Sequence, residues 1–87
     1  MLPNNEKDEI RRVRWKCRRG MLELDQLLLG FFDHCYADLS TDERACFNEL
    51  LTYPDPLLWQ WLTGQTKPDL ESMQLLVAKI TENKNIY

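Results

Sequence analysis

Apolar residues recur every three to four positions from Ile10 to Ile80, and no run alternates apolar with polar residues as a half-buried strand must. Glycine and proline fall at intervals that cut this pattern into five helices. The sequence therefore predicts an all-α fold, a single-domain five-helix bundle with short loops. With 87 residues the chain is too short to close a second core, so residues 1–87 read as one domain, with about 5–82 as its ordered part.

Helix 1 is expected from about Asn5 to Arg19, with Ile10, Val13 and Cys17, then Met21 and Leu24, on one face and Gly20 at the break. Helix 2, about Met21 to Ala37, carries one stripe of Leu24, Leu27, Leu28, Phe31 and Cys35 and a second of Leu29, Phe32 and Tyr36. A helix apolar on two sides belongs in the middle of a bundle, and Gly30 within it suggests a bend or a close crossing. Ser40-Thr41-Asp42-Glu43 is a capping box that starts helix 3, whose buried side is Phe47, Leu50 and Leu51, flanked by Cys46 and Tyr53. Asp55-Pro56 reads as a cap followed by proline at the start of helix 4, which ends at Gly64 with Leu58, Trp61 and Leu62 inward. Helix 5 begins near Pro68-Asp69 and presents Leu70, Met73, Leu76, Val77 and Ile80, and the tail Asn83 to Tyr87 is expected to fray.

The chemistry-bearing inventory is thin. The single histidine, His34, neighbours Cys35, and adjacent helical residues point about 100° apart, so they do not make a nucleophile–base pair. Ser40 is assigned to capping, which also argues against an acyl-carrier serine. Cys17, Cys35 and Cys46 lack the close pairing of structural zinc ligands, and buried small hydrophobes account for them better. No catalytic, cofactor-binding or metal-binding residue is expected, and the protein reads as no enzyme. An odd cysteine count and no secretory h-region after Met1 point to reduced thiols and a cytoplasmic location. No stretch nears the roughly 18 apolar residues of a membrane span, so no direct membrane insertion is expected.

Charge is unevenly spread. Residues 1–20 hold seven basic and three acidic side chains (+4), whereas residues 21–87 hold four basic and eleven acidic ones (−7), giving the net −3. Six of the nine residues from Arg11 to Arg19 are Arg or Lys. A solvated helix face is the bland account of such a run. Trp15 argues for more, because Arg12, Trp15 and Arg19 fall at i, i+3 and i+7, opposite the Ile10–Val13–Cys17 face. Trp and Arg are the residues most enriched at binding hot spots, so this ridge is a candidate protein-binding surface. At the turn that follows, Gly20 permits a left-handed backbone or close approach, and Glu23 suits the start of helix 2 and is a candidate cap. An ordinary helix–glycine–helix corner explains the same residues equally well. Nucleic-acid binding is disfavoured by the acidic remainder of the chain and the lack of a second basic element.

Beyond these local readings, Trp15, Cys17-Arg18-Arg19-Gly20-Met21, Glu23-Leu24-Asp25 and Phe31-Phe32 resemble the SdhE family of succinate dehydrogenase flavinylation assembly factors. Its Arg-Gly-x-x-Glu signature is present as Arg19-Gly20-Met21-Leu22-Glu23. The resemblance continues through Leu39-Ser40-Thr41-Asp42-Glu43 and Asp55-Pro56-x-Leu58-x-x-Trp61-Leu62. It implies a protein that binds the flavoprotein subunit of succinate dehydrogenase, with the fumarate reductase subunit as a further client. It also implies that this protein promotes covalent attachment of FAD, bound by the client, to a client histidine, while itself supplying no acid, base or nucleophile. The partner-binding residues are then Arg12, Trp15, Arg18, Arg19, Gly20, Met21 and Glu23. An antitoxin-like or regulatory protein-binding module is the alternative of a different class, and a small nucleic-acid binder the third.

Overall fold

A computed structural model describes residues 3–83, with side-chain surroundings from residue 7 onward. Five helices follow one another: α1 (Pro3–Lys16), α2 (Leu22–Cys35), α3 (Thr41–Leu50), α4 (Asp55–Leu62) and α5 (Glu71–Asn83), with a 3-10 turn (Tyr36–Asp38) after α2. Among the described residues there is no strand, so the fold is the expected all-α five-helix bundle.

Each boundary has a local cause. At α3 the capping box forms as the sequence predicts: Ser40 Oγ accepts the Glu43 N–H at 3.1 Å and Glu43 Oε1 accepts the Ser40 N–H at 2.9 Å. Gly64, at φ +81°, ends α4 in a Schellman motif, with Gln65 N–H donating to Gln60 O at 2.8 Å and Gly64 N–H to Trp61 O at 3.2 Å. Pro54, not Asp55, occupies the cap position of α4, and the Asp55 carboxylate turns to Arg19 instead. Helix α5 starts later than expected because Leu70 sits ahead of it, its carbonyl accepting the Gln74 N–H at 3.0 Å; Leu70 is accordingly exposed.

One core joins all five helices. Val13 and Cys17 come from α1 and its end, Leu24, Leu28, Phe31 and Phe32 from α2, and Phe47 and Leu50 from α3. Leu58, Trp61 and Leu62 come from α4, and Met73, Leu76, Val77 and Ile80 from α5. The rings of Phe31, Phe32, Tyr36 and Phe47 meet at centroid distances of 4.6–6.4 Å, the tilted and offset arrangements aromatic pairs favour. Both stripes of α2 are engaged, and α5 packs on α2, α3 and α4. Helix α2 runs through Gly30 without interruption.

The C-terminal expectation needs one correction. Asn83 is the last residue of α5, only 4% exposed, and its Oδ1 accepts from Cys35 Sγ at 3.6 Å. A buried amide with a partner is held, not frayed. The rest of the expected fraying tail, residues 84–87, lies outside the described residues.

Candidate functional site

The corner between α1 and α2 is built from the way α1 stops. Two tight bonds, Cys17 N–H to Arg14 O and Arg18 N–H to Trp15 O, both 3.1 Å, close its final turn at Lys16, three residues before the expected end. Cys17 is fully buried beneath the turn and its Sγ donates to Val13 O at 3.5 Å. The chain then swings so that the Arg19 N–H donates to Asp25 Oδ1 at 2.5 Å. The Asp25 N–H meanwhile makes the first bond of α2, to Met21 O at 2.8 Å.

Arg19 is the interior strut of this corner. Its Nε donates to Asp55 Oδ1 at 2.8 Å, Nη1 to Leu51 O at 2.8 Å and Lys16 O at 3.1 Å, and Nη2 to Tyr53 O at 2.7 Å. The side chain is only 14% exposed. Lys16 ends α1 and Leu51 stands at the cap position just past α3, so one guanidinium caps two helix C-termini, where a cation also suits the helix dipoles. The outward ridge expected of Arg12, Trp15 and Arg19 is therefore not formed. Once the helix ends at Lys16, Arg19 leaves the helical wheel, and three backbone carbonyls with a carboxylate draw it inward.

What remains outside is compact in sequence. Trp15 is 71% exposed, with the Arg18 guanidinium 5.8 Å from its ring centroid, a cation–π distance. Arg12 and Arg18 are exposed. Gly20 takes φ +87°, a conformation that L side chains rarely adopt, and a Cβ placed there would meet nothing within 4 Å. Its freedom thus serves the backbone turn, and its outer side is open. Met21 has extended dihedrals at the cap position of α2 and packs partly against the core. Glu23 is exposed in the first turn of α2 and makes no hydrogen bond or ion pair among the described residues; the carboxylate that binds a backbone amide of the turn, Arg19 N–H, is that of Asp25.

Sequence reasoning passed over three residues. Leu22, 70% exposed at the first position of α2, sits on neither apolar stripe of that helix, which was the signal available. Asp25 and Asp55, the acceptors that shape the corner, carried no local sign of that role. The basic run is also divided by the fold: Arg14 turns to Asp33, with Nε–Oδ1 at 3.0 Å and Nη2–Oδ2 at 3.2 Å, and Arg19 to Asp55. Arg11, Arg12, Lys16 and Arg18 form no ion pair among the described residues and are left to solvent or a partner.

The thiols and the histidine are dispersed. Burial pushes the Cys17 thiol up to about 12, despite the opposing pull of Arg14 and Arg19, so it is a neutral core group at ordinary pH. Cys46 lies against Met73, Cys35 against Asn83, and the exposed His34 has Nδ1 2.9 Å from Gly30 O. No group of three His, Cys, Asp or Glu side chains converges among the described residues. A hollow of about 560 Å³ between α4 and the start of α5 has Tyr53, Leu57, Trp61, Met73, Lys67 and Asp69 among its lining residues. No described helix is long and apolar enough to cross a membrane. The arrangement is an exposed cationic and aromatic corner, held from beneath by the hydrogen bonds of Arg19.

Comparison with known proteins places this chain in a family. The model of a family described as flavinator of succinate dehydrogenase matches residues 11–84. Among similar curated proteins is the FAD assembly factor SdhE of Coxiella burnetii, 44% identical over 78 residues, covering 90% of this chain and 95% of that protein. The FAD assembly factor SdhE of Shewanella oneidensis is 48% identical over 69 residues, covering 78% and 84%. That of Serratia sp. is 43% identical over 75 residues, covering 85% of each.

Proposed function

This chain belongs to the family of flavinators of succinate dehydrogenase, and on that premise we propose that it is a non-catalytic assembly factor whose α1–α2 corner docks on a flavoprotein subunit. The clients are the flavoprotein subunit of succinate dehydrogenase and its fumarate reductase counterpart, met in the cytoplasm. Docking promotes covalent attachment of the client's FAD to a client histidine.

The observation that carries the reading is Trp15, 71% exposed beneath an arginine at a corner whose outer side is open at Gly20. Leaving so large an apolar ring in water gains nothing for folding, and Trp and Arg dominate the centres of protein interfaces. In this reading Trp15, Arg12 and Arg18 anchor the client, with Leu22 extending the apolar contact. Gly20 lets the client backbone approach, Met21 keeps that segment seated on the core, and Glu23 offers an unpaired carboxylate to a client donor. Arg19 takes part by holding the corner in shape.

The chemistry stays with the client. This chain contributes binding energy that favours the client conformation in which histidine and flavin are aligned, and positioning alone accelerates such a step. The test is in-gel flavin fluorescence of the client subunit made with and without this protein, and with its Gly20→Arg and Glu23→Ala variants. Covalent flavin should rise with the wild type, fall to the unassisted level with Gly20→Arg, and fall further than thermal stability does with Glu23→Ala. Normal flavinylation by a Gly20→Arg protein would refute the site, and a thermal shift with full flavinylation would make Glu23 purely structural.

A further inference from the structure

Asp55 stands at the first position of α4, where a carboxylate suits the helix dipole and is commonly used as a cap. It makes no cap bond; its Oδ1 instead accepts from Arg19 Nε at 2.8 Å. The same guanidinium donates to carbonyls of the α3–α4 linker, Leu51 and Tyr53, and to Lys16 at the end of α1. The Arg19 backbone N–H is held separately by Asp25. Gly20 follows immediately, its left-handed φ setting the direction in which Leu22 and Glu23 emerge relative to Trp15. Two carboxylates from two helices therefore fix a turn that neither of them belongs to.

We propose that Asp55 is a positioning residue for client engagement, acting through Arg19 to hold the Gly20 turn in its docking geometry. The inference rests on the docking reading above and adds to it a residue 36 positions away in sequence. Asp55 is about a third exposed and is placed to restrain Arg19, with Arg19 four-fifths or more covered between it and the linker. Without the carboxylate, the guanidinium keeps its carbonyl partners but loses the charged one that orients its fork, and an Arg without its planar partner has several other ways to satisfy its donors. The turn then samples other directions, and the client must select the competent one, which lowers apparent affinity by the fraction lost.

The experiment is a titration of the flavoprotein subunit of succinate dehydrogenase with the full chain, at a temperature where every variant is folded by circular dichroism. The variants are Asp55→Ala, Asp55→Asn, Arg19→Ala, the double Arg19→Ala/Asp55→Ala, Trp15→Ala and, as a stability control remote from the corner, Ile80→Val. Asp55→Ala should weaken binding about tenfold, and Asp55→Asn, which keeps an acceptor oxygen, by less. The double variant should bind no worse than Arg19→Ala alone, since Asp55 has nothing left to act through. Ile80→Val should lower the melting temperature and leave affinity unchanged. Full affinity in Asp55→Ala overturns the proposal, as does an additive loss in the double variant, which would put Asp55 in direct contact with the client. Loss in Trp15→Ala without loss in Asp55→Ala defeats this proposal alone. Unchanged affinity in Trp15→Ala removes the docking corner itself, and the proposal with it.

Discussion

Arg19 donates through Nη2 to the Tyr53 carbonyl at 2.7 Å, across 34 residues of sequence. The bond ties the turn after α1 to the linker before α4, and with Leu51 O it satisfies backbone acceptors that the end of α3 leaves unpaired. The arginine of the Arg19-Gly20-Met21-Leu22-Glu23 segment is thus turned into the protein, while Arg18 and Trp15 face out.

Replacing Arg19 by lysine tests this architecture. A lysine keeps the charge but cannot serve Asp55, Leu51 and Tyr53 with one planar fork. Losing charged hydrogen bonds at a largely buried position should cost about 2 kcal/mol, a melting-temperature drop on the order of 10 °C for a domain of this size. Differential scanning calorimetry reads it directly; an unchanged melting temperature would mean the strut carries no stability.

Trp15→Ala should show the opposite profile. The ring is mostly in solvent, so stability should change by less than about 0.5 kcal/mol. Client binding should weaken by about 2 kcal/mol or more, roughly thirtyfold, if the ring is an interface anchor. Chemical denaturation and client titration on the same preparation separate the two effects.

At Gly20 the two substitutions differ in kind. Any side chain meets the left-handed φ of +87° and should cost about 1–2 kcal/mol, although nothing lies in its way. Gly20→Ala should therefore be a moderately destabilised protein that still engages the client. Gly20→Arg should keep its helical circular dichroism and lose the complex, because the long side chain extends over the open face of the corner. Equal client affinity for both variants would refute the distinction.

Two titrations should frame the stability profile. Glu43 is held below the usual carboxylate range, first by its ion pair with Lys79 and then by the Ser40 N–H. Its contribution is therefore present above the unfolded value of 4.5 and lost as pH falls through the folded one. Glu43→Gln should flatten the acid limb. Cys17 behaves with the opposite sign: raised from 9.0 to about 12, it stabilises the neutral-thiol fold below pH 9, a contribution lost as pH climbs toward 12. Cys17→Ala should reduce that alkaline slope even though it leaves a small cavity. Thermal melts across pH 3–11 check both limbs.

Much of the fold was legible because its signals are local. The capping box at Ser40, the glycine stop at Gly64 and the apolar stripes of α2, α3 and α4 are each written within a few residues, and each appears where the pattern puts it. The end of α1 was not legible. Nothing between Lys16 and Gly20 forbids helix; what stops it is Asp25, six residues on from Arg19, together with acceptors from α3 and α4 that reach the corner only after folding. The same long-range cause misdirected the helical wheel at Arg19 and hid the part that Asp25 and Asp55 play at the corner. Leu22 was missed for a different reason: an exposed leucine is unremarkable in sequence, and only its place beside an open glycine turn gives it meaning.

The division of charge has a kinetic consequence. With Arg14 and Arg19 neutralised by Asp33 and Asp55, the positive potential concentrates on Arg11, Arg12, Lys16 and Arg18, while the rest of the chain is acidic. A molecule so polarised experiences a torque in the field of any acidic surface, which turns its tryptophan-bearing end forward before contact is made. Fewer collisions are then wasted on wrong orientations, and added salt, by shortening the reach of that field, slows the approach without loosening the fit.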